Sequence, residues 1–222
     1  MAPNIAEEIN ALFSEHADPE RAEGMKAYMK GQFEYYGINS PLRKELLRAF
    51  FKANGSPQDE LTDLVRELWL YDQREMQYVA TDLIRRHIRK QPASFIQVIE
   101  SLILKKSWWD TVDHLSVNAG TLMQKHPDLQ PAVTDSWIRS DSMWLRRAAV
   151  IHQLMYKGST NWTMLQDYIL RVAHEEEFFI RKACGWALRQ YSKTSPQQVA
   201  AFIDQYRDQL SGLTIREGSK YI

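Results

Sequence analysis

Met143-Trp144-Leu145-Arg146-Arg147-Ala148-Ala149 returns 35 residues later as Phe178-Phe179-Ile180-Arg181-Lys182-Ala183-Cys184, repeating an aromatic, aliphatic, basic, basic, alanine order. A backward step of similar length lands on Trp108-Trp109, and one more reaches Arg74-Glu75-Met76-Gln77. A period in this range with two helices per unit is the pattern of an α-solenoid, somewhat shorter than the ~40–47 residues of HEAT and armadillo units. No such unit buries its apolar face alone, so neighbours must stack. The expected fold is therefore all-α, an α-α superhelix of antiparallel helix pairs (a HEAT-like or armadillo-type solenoid) with a concave groove lined by basic residues.

Helical spacing extends through the rest of the chain. Ile5, Ile9, Leu12 and Phe13 share one face over 4–15. Asp18-Pro19 caps and opens a second helix carrying Met25, Tyr28 and Met29. The stretch 33–40 reads as an aromatic loop containing Gly37; Pro41 then opens a helix with Leu42, Leu46, Leu47 and Phe50 inward, and Gly55-Ser56-Pro57 breaks it. Further helices are predicted over 59–71, 74–89, 92–105, 108–125, 129–139, 141–156, 161–174 and 177–193, with a last one from 196 to about 210. No segment sustains period-two alternation, so no strand is expected. Connections such as Gln91-Pro92 and Thr194-Ser195-Pro196 are short, which makes sequential helices antiparallel neighbours. No Gly/Pro/Ser-rich linker intervenes, and 1–222 reads as one domain.

Composition narrows the function classes. Twenty-eight basic residues balance 28 acidic ones. That excludes a polyanion binder driven by a basic tail, while charge separated onto faces stays open. A lone cysteine, Cys184, excludes an internal disulfide and suits a reducing compartment. The N-terminus lacks a signal pattern and no apolar run approaches a membrane span, so a cytoplasmic protein is expected. Six scattered histidines form no metal-binding spacing, and neither a Gly-rich phosphate loop nor a nucleophile elbow is present. Neither metal nor cofactor is expected.

The richest chemistry lies in Ser107-Trp108-Trp109-Asp110-Thr111-Val112-Asp113. Ser107 reads as an N-cap, with Asp110 reaching back to it. Asp113 falls one turn after Trp109 on the same face, an indole beside a carboxylate and so a receptor for something flat, cationic or both. Farther on, Lys182, Trp186, Arg189 and Lys193 form one stripe, suited to a phosphate backbone with a flat or sugar-like group. Phe179, Ala183, Ala187 and Tyr191 form the opposing core stripe. Arg147 shares a stripe with Met143, Ile151 and Leu154, and needs either a carboxylate partner or a phosphate. The basic helix end Arg85, Arg86, Arg89 and Lys90 is accounted for by the helix dipole.

The ordered motifs SWWDTVD, then HP, then W-I-x-S-D-x-x-W-L-x-R-A-A, and finally E-F-F-I-x-K-A-x-G-W-x-L-R resemble the AlkD family of bacterial DNA glycosylases. A-E-x-M-x-x-Y-M-K, G-I-x-x-P-x-R and R-E-L-W match in the same order, and the resemblance runs from about Ala22 to Arg216. It implies a HEAT-like solenoid whose concave basic face holds duplex DNA, and excision of cationic N3- and N7-alkylated purines. It further implies that Trp109, Asp113 and Trp186 are catalytic, that Arg147 contacts phosphate, and that Tyr28 lies near the lesion. Arg43, Lys182 and Arg189 complete the expected DNA contacts, and a monomer is expected. Two rival classes use the same scaffold: a non-catalytic binder of branched or distorted DNA, and a HEAT-like protein-interaction scaffold.

Overall fold

The structure, a computed structural model, describes residues 4–57 and 60–222. Among these residues the chain is all-α, with thirteen helices and no strand; one isolated bridge joins Glu34 and Gln73. The helices fall into two compact units, one ending at His87 and the other beginning at Ile88.

The first unit holds α1 (Ile5–Glu15), α2 (Pro19–Tyr28), α3 (Ser40–Asn54), α4 (Leu61–Leu70) and α5 (Arg74–His87). The predicted start of α4 at position 59 lies outside the described residues. Ala6, Ile9 and Phe13 of α1 bury against α3 and α4, which continue the core with Leu47, Phe51, Leu61, Leu64 and Leu68. Asp18 caps α2 by accepting from the Arg21 N–H, and Pro19 occupies the first turn, as the sequence predicts. No residue of α2 is buried, so its position depends on the loop that follows. That loop is tied down by Glu75 of α5, whose carboxylate accepts from the backbone N–H groups of Tyr36, Gly37 and Ile38. Gly37 has φ +87°, and a Cβ there would meet the Asp18 carbonyl at 2.1 Å.

The second unit contains α6 (Phe95–Ile103), α7 (Trp109–Lys125), α8 (Leu129–Ile138), α9 (Met143–Ile151), α10 (Trp162–Val172), α11 (Phe178–Ser192), α12 (Pro196–Gln205) and α13 (Gly212–Gly218). Helices α7, α9, α11 and α13 pack in succession, and α6, α8, α10 and α12 pack against members of that row. Helices α7, α9 and α11 begin at Trp109, Met143 and Phe178, the registers that the repeat picked out. Their shared core is made by Val112, Leu115, Ala119 and Leu122 of α7, Ala148 and Ile151 of α9, and Ile180, Ala183 and Leu188 of α11.

Several predicted boundaries move. The helix expected over 141–156 ends at Ile151, where the His152 ring bonds back to the Ala149 carbonyl. Helix α7 starts at Trp109 with no side-chain cap. Ser107 is not its cap, because the Ser107 hydroxyl donates instead to the Ile103 carbonyl at 2.6 Å and closes the end of α6. Helix α13, which the periodicity did not resolve, is capped by Ser211.

Gly120 marks a close approach between α7 and the C-terminal end of α9. A Cβ on Gly120 would stand 2.0 Å from the His152 carbonyl oxygen, and the Tyr156 hydroxyl donates to the Gly120 carbonyl at 2.7 Å. Gly120→Ala is expected to cost at least about 1–3 kcal/mol through forced separation of the two helices, read as a lowered urea midpoint. An unchanged midpoint refutes that packing. His152 is fully buried and neutral: Nδ1–H donates to Ala149, Nε2 accepts from the Gln130 amide, and burial pushes its pKa down from 6.5 to about 4. Below pH 6.5 the unfolded chain binds a proton that the folded chain refuses. Stability should therefore fall by about 3 kcal/mol as pH drops through that window, a trend that urea melts at about pH 7 and about pH 4.5 test directly.

Candidate active site

Asp113 lies one turn inside α7 on the same face as Trp109, and Arg147 reaches it from α9. The guanidinium forms a two-point fork, Nε to Oδ1 at 2.7 Å and Nη2 to Oδ2 at 2.9 Å. Its third nitrogen, Nη1, donates to the Phe179 carbonyl of α11 at 2.5 Å. One arginine thus joins three successive helices. It is 3% exposed, and the carboxylate partner explains how a cation sits on the stripe with Met143, Ile151 and Leu154. Expected as a phosphate contact, Arg147 is turned inward to Asp113. Burial pushes the Asp113 carboxyl above its ordinary range, while the Arg147 hydrogen bonds and charge, and the nearby His114, pull it back. The result is an oriented carboxylate whose side chain keeps 15% of its surface exposed.

Aromatic residues surround this pair. Trp108, Trp144 and Phe179 form a three-ring cluster with centroids 5.2–5.8 Å apart. The Arg147 guanidinium lies 6.0 Å from the Phe179 ring centroid. Trp108 is a packing residue of this cluster. Trp109 and Trp186 are each half-buried. Trp186 stands two turns beyond Phe179 on α11, between Lys182 and Arg189. Cys184 on the packed side of α11 is buried, with its thiol pushed up to about 12 by desolvation, so it is not a nucleophile.

Lys182 and Arg189 do come together, but around a residue that the sequence reading missed. Glu217 of α13 accepts from Lys182 at 2.9 Å, Arg189 at 2.8 Å and Lys220 at 2.9 Å. The hydrogen bonds of Lys182 and Lys220 hold its carboxyl down at about 2. Gly185 permits the contact, since a Cβ there would stand 2.5 Å from the Glu217 Cβ. Three cations on one carboxylate leave a positive excess beside Trp186. The seven-residue α13 carries too short a period to reveal itself, although Ser211 followed by Gly-Leu-Thr is a usable N-cap signal. Lys193 is placed elsewhere, over the Tyr221 ring.

Tyr28 and Arg43 belong to the first unit. Tyr28 is 72% exposed and lines a cavity of about 390 Å³ with Met25, Met29, Tyr35 and Tyr78. Arg43 is buried, bonded to Asp82 at 3.3 Å and lying over the Tyr78 ring.

The coupling of Asp113 to Arg147 is measurable by itself. Arg147→Met leaves a buried carboxylate without its partner and should cost about 3–5 kcal/mol, with part of that loss recovered when Asp113→Asn is added. Additive losses would mean the fork is not formed.

The profile of the DNA alkylation repair enzyme family matches residues 9–222. A solved structure described as a predicted DNA alkylation repair enzyme from Enterococcus faecalis is 36% identical, with a TM-score of 0.86 over 93% of this chain and 96% of that one. No protein of curated function matches the chain. This chain belongs to the DNA alkylation repair enzyme family.

Proposed function

We propose that this protein is a DNA glycosylase that hydrolyses the N-glycosidic bond of cationic N3- and N7-alkylpurines in duplex DNA. The observation that carries the reading is the Asp113 carboxylate, held by the Arg147 fork one turn from Trp109 on α7. Family membership supplies the substrate class: alkylated DNA.

A cationic alkylpurine is already a good leaving group and requires no general acid. As the C1′–N9 bond breaks, its electron pair passes to the purine and cancels the ring's charge, while positive charge develops on the sugar. A fixed carboxylate and the electron-rich faces of Trp109 and Trp186 stabilise that charge without rearranging. Water adds to C1′ and passes its proton to Asp113 and then to solvent. In this proposal Arg147 is a positioning residue for Asp113, and the exposed parts of Lys182 and Arg189 take the phosphate contacts. Tyr28 supplies an aromatic contact from the first unit, and Arg43 supports it from beneath Tyr78. We further propose that the helices form a HEAT-like solenoid with a concave basic groove. Protein and sugar-phosphate then meet without the damaged base entering a pocket, and a single chain works without metal or cofactor.

Incubating the protein with methylated duplex DNA and measuring free bases tests the reading. Asp113→Asn should lower base release by about 10²–10³ with duplex binding retained; wild-type release by this variant sinks the mechanism. Binding with no base release by the wild-type chain would establish the non-catalytic DNA binder instead. Activity requires the ionised carboxylate, so it should fall on acidification, and burial sets the midpoint of that limb above the ordinary 3.8. A midpoint at or below 3.8 contradicts the assigned base.

A further inference from the structure

Tyr28 is the aromatic contact that the first unit supplies, yet the helix carrying it has little apolar hold on the rest of the chain. None of the ten residues of α2 is buried; Met29, just past its end, is its buried apolar anchor. A helix this short is marginal in water by itself, below the roughly 12–15 residues that even good sequences need, and Gly24 weakens it further. Its helical form therefore depends on docking. The cavity of about 390 Å³ depends on it too, because Arg21, Gly24, Met25 and Tyr28 make one wall and Tyr35 and Tyr78 the other.

The dock is the 34–38 segment. The Asp18 N–H donates to the Tyr36 carbonyl at 2.8 Å, Arg21 Nη1 donates to the Gly37 carbonyl at 3.3 Å, and Lys26 pairs with Glu34 at 2.6 Å. At Gly37 the fit is closest: the Cβ it lacks would lie 2.1 Å from the Asp18 carbonyl oxygen and 2.9 Å from the Ala22 nitrogen. The angle of one peptide thus decides whether α2 seats. Tyr36 and Ile38 bury their side chains on either side, but apolar burial is non-directional and does not orient the peptide between them. Glu75 does. Its Oε1 accepts from the Gly37 and Ile38 N–H groups at 3.0 Å each, and its Oε2 accepts from Tyr36 at 3.2 Å.

Three converging N–H groups call for both oxygens of a carboxylate; an amide offers one acceptor oxygen and turns an NH₂ towards the remaining donor. Glu75 is fully buried and meets no cation among the described residues, and an ion so placed is costly unless it is bonded in this way. Packing alone would be served by an apolar side chain, so the charge points to orientation of the 36–38 backbone.

We propose that Glu75 is a positioning residue for Tyr28: it orients the 36–38 backbone, that backbone seats α2, and α2 presents Tyr28. Helix α2 is then held by directed polar contacts and can come away while the rest of the first unit stays folded. This inference rests on the glycosidic reading only for what Tyr28 touches; the latch itself does not need it.

Amide hydrogen exchange on the full chain without DNA reads the seating. Glu75→Gln keeps the size of the side chain and loses one acceptor. It should speed exchange in α2 and in 36–38 by at least about tenfold, with α7, α9 and α11 unchanged. Arg21→Ala, at an exposed position, should speed α2 and leave 36–38 protected. Unchanged α2 exchange in Glu75→Gln overturns the proposal, as does equal acceleration throughout the first unit, which would make Glu75 a general core residue. Base release from methylated duplex DNA reads the consequence. Glu75→Gln should lower kcat/KM by about fivefold in the wild-type chain and by less than about twofold when Tyr28→Ala is already present, because the contact it positions is then gone. Losses that multiply overturn the step through Tyr28. A wild-type chain that releases no base while α2 loosens as expected overturns the glycosidic reading and the Tyr28 step with it, and the exchange result then upholds the latch.

Discussion

The junction of α7, α9 and α11 depends on one buried ion pair. Arg147 donates to both oxygens of Asp113 and to the Phe179 carbonyl, so α7, α9 and α11 meet at a single guanidinium. Desolvating both charges costs several kcal/mol each, and only close, fully bonded geometry offsets that loss. The pair is thus weak evidence of stabilisation and good evidence of orientation. It holds one carboxylate at one angle on a partly open surface, as electrostatic stabilisation of a developing cation requires.

The same device recurs at two other places with different consequences. Glu217 gathers Lys182, Arg189 and Lys220, and in doing so fastens α13 to α11. Because the cations outnumber the carboxylate, that cluster keeps its attraction for an anion while its side chains are held in place. In the first unit the Glu75 carboxylate has no cation among the described residues and is met by three backbone N–H groups of the 36–38 segment. There the carboxylate serves as the hydrogen-bond partner that a loop cannot find in a helix. The three sites span the uses of a buried acid: orienting it, neutralising neighbours with it, and bonding a loop to it.

The repeat was legible because stacking demands it. Equivalent helices must present equivalent apolar faces, and α7, α9 and α11 accordingly begin at positions that the sequence itself marks. Asp113 and Trp109 were legible as a pair because four residues is one helical turn, a local relation that folding does not alter. Ser107 was misread for the opposite reason. A serine near a helix start can serve the helix ahead or the one behind, and the choice of the Ile103 carbonyl depends on how the chain turns between α6 and α7.

The sequence alone determined the all-helical class, the register of the repeated helices and the residues on each face, since these follow from periodicity within a few turns of chain. Only the tertiary structure decided which charges neutralise which. Asp113 and Arg147 lie 34 residues apart, and Glu217 lies 28 residues beyond Arg189. Coulomb attraction acts through space, and the burial that strengthens or penalises it is a property of the packed chain rather than of any stretch within it.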